Sequence, residues 1–307
     1  MNSYNFGYAC INLELRKKKI FAGRTCRKAT FEKEGLRYVG DLGLQNVKDL
    51  YTIIQWNEKH NIRFYRIGSD IFPWSSEYEY KDLPQYKEVC DLFTEIGNFA
   101  TKHNHRLTFH PGPFNILGSQ KPDVVKRTMV DLRHHSEIFD LMGFKPSVYN
   151  KINIHVGAAY KDKFAVLKQW CINYHKLDSN TKQRLTIEND DKPNLYTTQD
   201  LHKYIHGEVG IPIVFDFHHY KCNPGDATVE ESLDLAVSTW PPNIKPIVHI
   251  SSTKQLEDKK AKLQAHANYI YETVNTFGHN VDIMVEAKHK EKAVQKLILE
   301  NTLVCTE

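Results

Sequence analysis

Short apolar runs rich in Ile, Val and Phe recur along the chain, each followed by a polar tip and a longer amphipathic stretch. They occupy residues 4–8, 62–68, 106–110, 151–157, 184–188, 213–217, 247–251 and 281–286. Between them apolar residues return at helical spacing, for example over 44–60, 83–103, 122–142 and 162–174. Alternation of this kind predicts βα units, because parallel strands need crossover connections. Eight such runs predict a closed (β/α)8 barrel of the TIM type. An open doubly wound sheet would carry a GxGxxG turn after a run, and none is present. No Gly/Ser linker or low-complexity block divides the chain, so residues 1–307 are expected to form one domain. Its active site should lie at the C-terminal ends of the strands.

Composition narrows the function classes. At 41% hydrophobic the chain can bury a large core, which excludes disorder. Forty-one Lys and Arg against 37 Asp and Glu leave a formal charge of +4, too little for a histone-like protein but compatible with a local basic face. The six cysteines (Cys10, Cys26, Cys90, Cys171, Cys222, Cys305) contain no CxxC pair, so neither a disulfide framework nor a zinc knuckle is expected. Residues 1–10 show no basic stretch followed by an apolar run, and no apolar stretch approaches the roughly 20 residues of a membrane span. The expectation is an intracellular, soluble monomer that is not secreted.

Nearly every run ends in a residue able to bind a metal. The second closes on Asp70, the third on His110, the fourth on His155 and the fifth on Glu188. The sixth supplies Asp216 with His218 and His219, the seventh His249, and the eighth Glu286. His266 is read as opening a helical pattern after the seventh run. A single histidine at a strand end is ordinarily a hydrogen-bonded structural residue. A barrel, however, gathers strand ends into one ring, where crowded carboxylates repel one another unless cations intervene. Imidazole with carboxylate is a ligand set for zinc, manganese or iron, and a cluster of two or three ions would activate a phosphoryl group toward water. His60, His103, His105, His134, His135, His202, His206, His279 and His289 fall in or beside helical stretches and read as solvated or packing residues.

The second signal is charge. Arg16-Lys17-Lys18-Lys19, Arg24, Arg27 and Lys28 follow the first run, on the expected active-site face. Asn12, Arg24 and Thr25 are candidates for phosphate contact. Tyr8, Phe72, Trp74 and Phe114 are candidates for stacking on bases or wedging between them.

These residues carry a resemblance. The sequence resembles the UV damage endonuclease family, within the barrel superfamily of endonuclease IV and xylose isomerase, from about residue 5 to residue 291. The matching segments begin with Phe6-Gly7-Tyr8, Asn12-Leu13, Phe64-Tyr65-Arg66-Ile67-Gly68-Ser69-Asp70-Ile71-Phe72-Pro73 and Phe109-His110-Pro111-Gly112. They continue with Leu185-Thr186-Ile187-Glu188-Asn189-Asp190, Val214-Phe215-Asp216 with His218-His219, and Val248-His249-Ile250-Ser251-Ser252. Ala265-His266-Ala267 and Asp282-Ile283-Met284-Val285-Glu286-Ala287-Lys288 complete the series.

The resemblance implies a manganese-dependent nuclease acting on UV-damaged double-stranded DNA. It would cut immediately 5′ of cyclobutane dimers and 6-4 photoproducts, leaving a 3′-hydroxyl and a 5′-phosphate. Zn2+ and Mg2+ are the alternative ions. By position the ligands fall on His110, His155, Glu188, Asp216, His219, His249, His266 and Glu286, with Asp70 a further one. Glu188, Glu286 and His110 would be central to catalysis. Tyr8 and Asn12 match positions of lesion and DNA contact, with Arg24 and the Pro113-Phe114 pair beside them.

Two positions depart from the family pattern. Pro113-Phe114 stands where a Gln-Tyr pair probes the duplex, and Ile247 stands where a lysine precedes the strand-seven histidine, the nearest lysine being Lys245. An AP endonuclease, a sugar isomerase of the same superfamily and a non-catalytic damaged-DNA binder are the competing readings.

Overall fold

Eight parallel strands close into a barrel in sequence order: β1 (Phe6–Ala9), β2 (Phe64–Ile67), β3 (Arg106–Phe109), β4 (Ile152–His155), β5 (Leu185–Glu188), β6 (Ile213–Asp216), β7 (Ile247–Ile250) and β8 (Asp282–Val285). The computed structural model describes residues 4–300 and 304–305. Closure comes from β8 against β1, where Phe6 is in register with Ile283 and Tyr8 with Val285. Every predicted run is a strand, which makes the architecture a (β/α)8 barrel of the TIM type. Around it lie α1 (Leu13–Lys17), α2 (Lys28–Lys59), α3 (Tyr86–Lys102), α4 (Pro122–Leu141), α5 (Lys163–His175), α6 (Ser179–Arg184), α7 (Thr198–Leu201), α8 (Gly207–Val209), α9 (Phe217–Cys222), α10 (Val229–Ser238) and α11 (Lys290–Glu300). No helix among the described residues is long and apolar enough to cross a membrane. The cysteines at 10, 26, 90, 171 and 222 are free thiols, and the side chain of Cys305 lies outside the described residues.

Two crossovers differ from the pattern reading. Helix α2 begins well before the 44–60 stretch, because Gly35 adopts a φ of 69° and joins two helical segments across a kink that a side chain would resist. The seventh crossover has no helix at His266. It holds a 3-10 turn (Lys254–Leu256) and a short strand (Val274–Asn275), and His266 pairs instead with Thr253 in an antiparallel bridge. The segment is rich in helix formers, but its acids are diverted. Glu257 accepts the backbone N–H of Asn268 and Asp258 that of Lys260, which folds the loop back on itself.

Side chains at alternate strand positions meet inside the barrel. On the floor the Arg106 guanidinium lies 2.9 Å from Asp282, which also pairs with Lys245 at 3.1 Å. Above it Ala9, Phe64, Val214, Ile247 and Met284 pack with Val148 and Trp240 as a small apolar plug. Gly7 makes room for it, since a Cβ there would lie 2.5 Å from the Phe64 carbonyl oxygen. The larger apolar core fills the layer between the sheet and the helices.

The strand N-termini carry a separate charge cluster that gives a pH prediction. Glu58, in the last turn of α2, accepts two hydrogen bonds from Arg63, both 2.9 Å, and lies 2.9 Å from His105 Nε2. The Arg63 hydrogen bonds hold its carboxyl down at about 2, against an ordinary 4.5. A depressed folded-state pKa adds stability that is present above the unfolded value and lost as the pH falls through the folded one. Glu58→Gln is therefore expected to cost up to about 1 kcal/mol at neutral pH. That gap should close between about pH 4.5 and about pH 2. Urea melts of both proteins across this range measure it, and a gap independent of pH would contradict the assignment.

Candidate metal centre

Because all eight strands run the same way, the residues that end β3 to β8 face one another in a ring. Glu188, the last residue of β5, sits at its middle. Its Oε2 is 3.0 Å from His110 Nε2 and 3.9 Å from His155 Nε2, while its Oε1 is 3.1 Å from His249 Nδ1 and 3.3 Å from His219 Nδ1. The ligand atoms of His110, His155 and Glu188 all lie within 4.8 Å of one another, and so do those of Glu188, Asp216 and His249. Glu188 is common to both trios.

Local chain geometry aims these atoms. Asp216 ends β6 and caps α9, where its Oδ1 accepts the backbone N–H groups of His218 at 2.7 Å and His219 at 2.8 Å. That leaves Oδ2 buried with no hydrogen-bond partner, and His249 Nε2 is in the same condition. Orphaned buried atoms of this kind are costly, and a bound divalent cation would satisfy them. His219 Nδ1 is 2.9 Å from the Asn189 carbonyl, which places its Nε2 3.9 Å from Asp216 Oδ2. His155 Nδ1 lies 3.1 Å from Asp190 Oδ1, and His266 Nδ1 2.8 Å from the Glu286 carbonyl. His219 and His266, hydrogen-bonded through Nδ1 in this way, present Nε2 as a ligand of fixed direction, whereas His155 meets Asp190 as an ion pair without a hydrogen bond.

Glu286 is ion-paired to Arg66, with its Oε1 3.4 Å from His249 and its Oε2 3.8 Å from His266. Arg66, Asn153 and Asp190 are functional neighbours that the strand-end reading did not single out. Asn153 donates to Glu188 and accepts from Thr186 at 2.7 Å, which fixes the carboxylate. For Arg66 and Asn153 the sequence signal is a charged or amide residue inside a strand otherwise destined for burial. Arg66 also changes the electrostatic argument, since part of the compensating charge for the crowded acids comes from the protein itself.

Burial alone would raise the Glu188 carboxyl, but the His249 and His155 imidazoles and the hydrogen bonds from His110 and His219 hold it well below the usual range. For Glu286 burial is again the largest influence, overcome by Arg66 and His249, so it too stays ionised. Burial pushes His110 down to about 4, which leaves the neutral imidazole that metal binding requires.

Not every candidate joins the ring. Asp70 is exposed on the rim, and no ion pair or hydrogen bond of its carboxylate reaches the ring among the described residues. Tyr8 and Asn12 are not on the rim but buried beneath it. The Tyr8 hydroxyl donates to Asn57 at 2.6 Å, and Asn12 donates to Tyr8 while capping α1. Phe72 is buried as well, and Trp74 stacks on Phe31. Arg24 turns inward, 2.7 Å from Asp49 and over the Phe21 ring, so it shapes its own loop. Phe114, by contrast, is 87% exposed, and Pro113 beside it is exposed too. A cavity of about 610 Å3 opens next to them, lined by Ser69, Asp70, Trp74, Phe114 and Arg127. A groove of about 640 Å3 between α4 and α5 includes none of the ring residues. Ile247 belongs to the apolar plug and Lys245 to the floor, so neither provides an amine beside His249.

The UV-endonuclease UvdE family profile matches residues 4–304. The UV-damage endonuclease of Schizosaccharomyces pombe is 36% identical over 306 residues, covering 95% of this chain and 49% of that protein, so the chain spans about half its length. The UV DNA damage endonuclease of Bacillus cereus (strain Q1) is 36% identical over 282 residues, with 88% of this chain and 84% of that protein covered. The crystal structure of SacUVDE superposes with a TM-score of 0.83 at 30% identity, covering 98% of this chain and 100% of that one.

Proposed function

Since the chain belongs to the UV-endonuclease UvdE family, we propose that it is a DNA repair endonuclease acting on UV photoproducts in duplex DNA. It cleaves the phosphodiester immediately 5′ of cyclobutane dimers and 6-4 photoproducts, leaves a 3′-hydroxyl and a 5′-phosphate, and works as a monomer. The observation that carries this reading is Glu188, shared by two trios of ligand atoms on the rim that also bears an exposed aromatic side chain.

In this reading His110, His155 and Glu188 would hold one divalent ion and Glu188, Asp216 and His249 a second. His219, His266 and Glu286 would complete the shell or hold a third. Mn2+ suits this mixed set, and Zn2+ and Mg2+ are the alternatives. Bound ions supply the Lewis acidity that a phosphodiester needs. The chain's own residues do the rest. Asn153 and Arg66 fix the two central carboxylates, the Asn189 and Glu286 carbonyls hold the imidazole planes of His219 and His266, and the buried ring limits access of bulk water. Phe114, backed by Pro113, enters the weakened stack at the lesion, where its ring replaces lost base contacts. The neighbouring lysines and arginines dock the backbone.

The test is incubation of the protein and MnCl2 with UV-irradiated supercoiled plasmid, followed by mapping of the nick. Nicks immediately 5′ of photoproducts are expected, and a chelator should abolish them, with Mn2+ in excess restoring activity. Cleavage of an abasic but not an irradiated plasmid would turn the reading to an AP endonuclease. Ketose isomerisation without nicking would turn it to a sugar enzyme. Binding to irradiated DNA without nicks under any divalent ion would leave only a damage binder.

A further inference from the structure

The loop after β7 is a built object. Over residues 253–266 its ends are held by the Thr253–His266 bridge, by Lys254 N–H to the Ala265 carbonyl at 2.6 Å and by Thr253 Oγ1 to the Leu263 carbonyl at 2.9 Å. Gln255 crosses it to the Ala261 carbonyl at 3.0 Å. Its two acids are engaged within the protein. Glu257 takes Lys254, the Asn268 N–H and the Tyr271 hydroxyl, and Asp258 takes the Lys260 N–H. The remaining bases, Lys259, Lys260 and Lys262, are exposed, and none of their side chains forms an ion pair or hydrogen bond among the described residues. Glu257 is thus paired with Lys254, whereas Asp258 stays exposed beside the three lysines, which outnumber it and leave the outer face of the loop positive. Leu256 and Leu263, 54% and 39% exposed, flank the lysines with apolar surface.

Its position adds the decisive point. In a closed barrel of eight strands in sequence order, β7 stands opposite β3. The metal centre lies between them, with His249 on one side and His110 on the other. Phe114 follows β3, so the apolar wedge and the three-lysine loop rise on opposite sides of the same ring. His266, at the loop's base, ties it to that ring.

Building on the nuclease reading, we propose that residues 254–263 form a cationic clamp for the phosphate backbone of duplex DNA, set across the metal centre from Phe114. The division of labour is electrostatic. A lysine that neutralises a phosphate releases counterions and steepens the salt dependence of binding by about 0.9 log unit per contact. An uncharged wedge contributes nothing to that slope but selects for a weakened stack.

The experiment measures binding in the absence of divalent ions, by fluorescence anisotropy, to one duplex with a single cyclobutane dimer and to its undamaged counterpart. Salt is varied from about 50 to about 200 mM, the range over which phosphate contacts are most visible. Combined Lys259→Gln, Lys260→Gln and Lys262→Gln should reduce the slope by up to about 2.7, at about 0.9 for each lysine. The ratio of damaged to undamaged affinity, and kcat at saturating DNA with Mn2+, should stay within about twofold of wild type. The matching triple Arg variant should keep the wild-type slope, and equal thermal melts of both variants guard against misfolding. Phe114→Ala should do the reverse, lowering the damage ratio at constant slope.

A slope unchanged in the Gln variant would overturn the clamp, as would a collapse of kcat at saturation. Failure of the wild type to nick under any metal would overturn the nuclease reading instead. Steep salt-dependent binding kept by the Gln variant would remove the clamp alone.

Discussion

Glu188→Gln is expected to slow nicking of irradiated plasmid by at least about 10^3-fold, the largest effect of any single substitution in the ring. The amide keeps the volume, and one oxygen can still accept the Asn153 hydrogen bond. What is lost is the carboxylate charge common to the two ligand trios. A catalytic metal is worth several kcal/mol of transition-state stabilisation, and a loss of about 4 kcal/mol corresponds to about three powers of ten in rate. Asp216→Asn and His110→Ala each alter one trio only, so both should retain more activity than Glu188→Gln. Calorimetric titration with Mn2+ separates the cases. The Glu188 variant should lose high-affinity binding at both positions, whereas the other two should keep one. Nicking by Glu188→Gln within tenfold of wild type would show that the Glu188 charge is not needed at the centre.

Much of this arrangement can be read along the chain, because a barrel converts sequence order into ring order. The residue closing each apolar run stands at the C-terminal end of a strand, and His110, His155, Glu188, Asp216, His249 and Glu286 meet for that reason. What stays hidden is whatever depends on a partner across the barrel. Arg66 sits in a run reading Phe-Tyr-Arg-Ile, and nothing nearby in sequence says that it faces Glu286. Tyr8 suits a rim as well as a core, and only Asn57 on α2 decides between them. Arg24 reads as a phosphate ligand until Asp49 is found beside it. The loop at 254–263 has the composition of a helix, and the side-chain claims of Glu257 and Asp258 on backbone N–H groups override that propensity.

The same cross-barrel logic applies to the floor, where charge is balanced within the protein. Arg106 is fully buried, and its guanidinium reaches the carboxylate of Asp282 and the carbonyls of Tyr149 and Lys245. Burial disfavours its charge, and Asp282 offsets that only in part. Lys151 is buried nearby, its Nζ without a hydrogen bond, pressed toward neutrality by burial and drawn back by Glu188 above. Asp282 thus faces two paired cations, Arg106 and Lys245, with a third basic group close by. Asp282→Asn keeps the shape but leaves a buried guanidinium without its counter-charge, a change that typically costs about 3–5 kcal/mol. Arg106→Met should cost less, because Asp282 would still hold Lys245 at the more accessible edge of the floor. Denaturant melts of the two variants against wild type measure the difference. A cost below about 1 kcal/mol for Asp282→Asn, the range of exposed surface pairs, would mean that the carbonyl groups alone sustain the Arg106 charge.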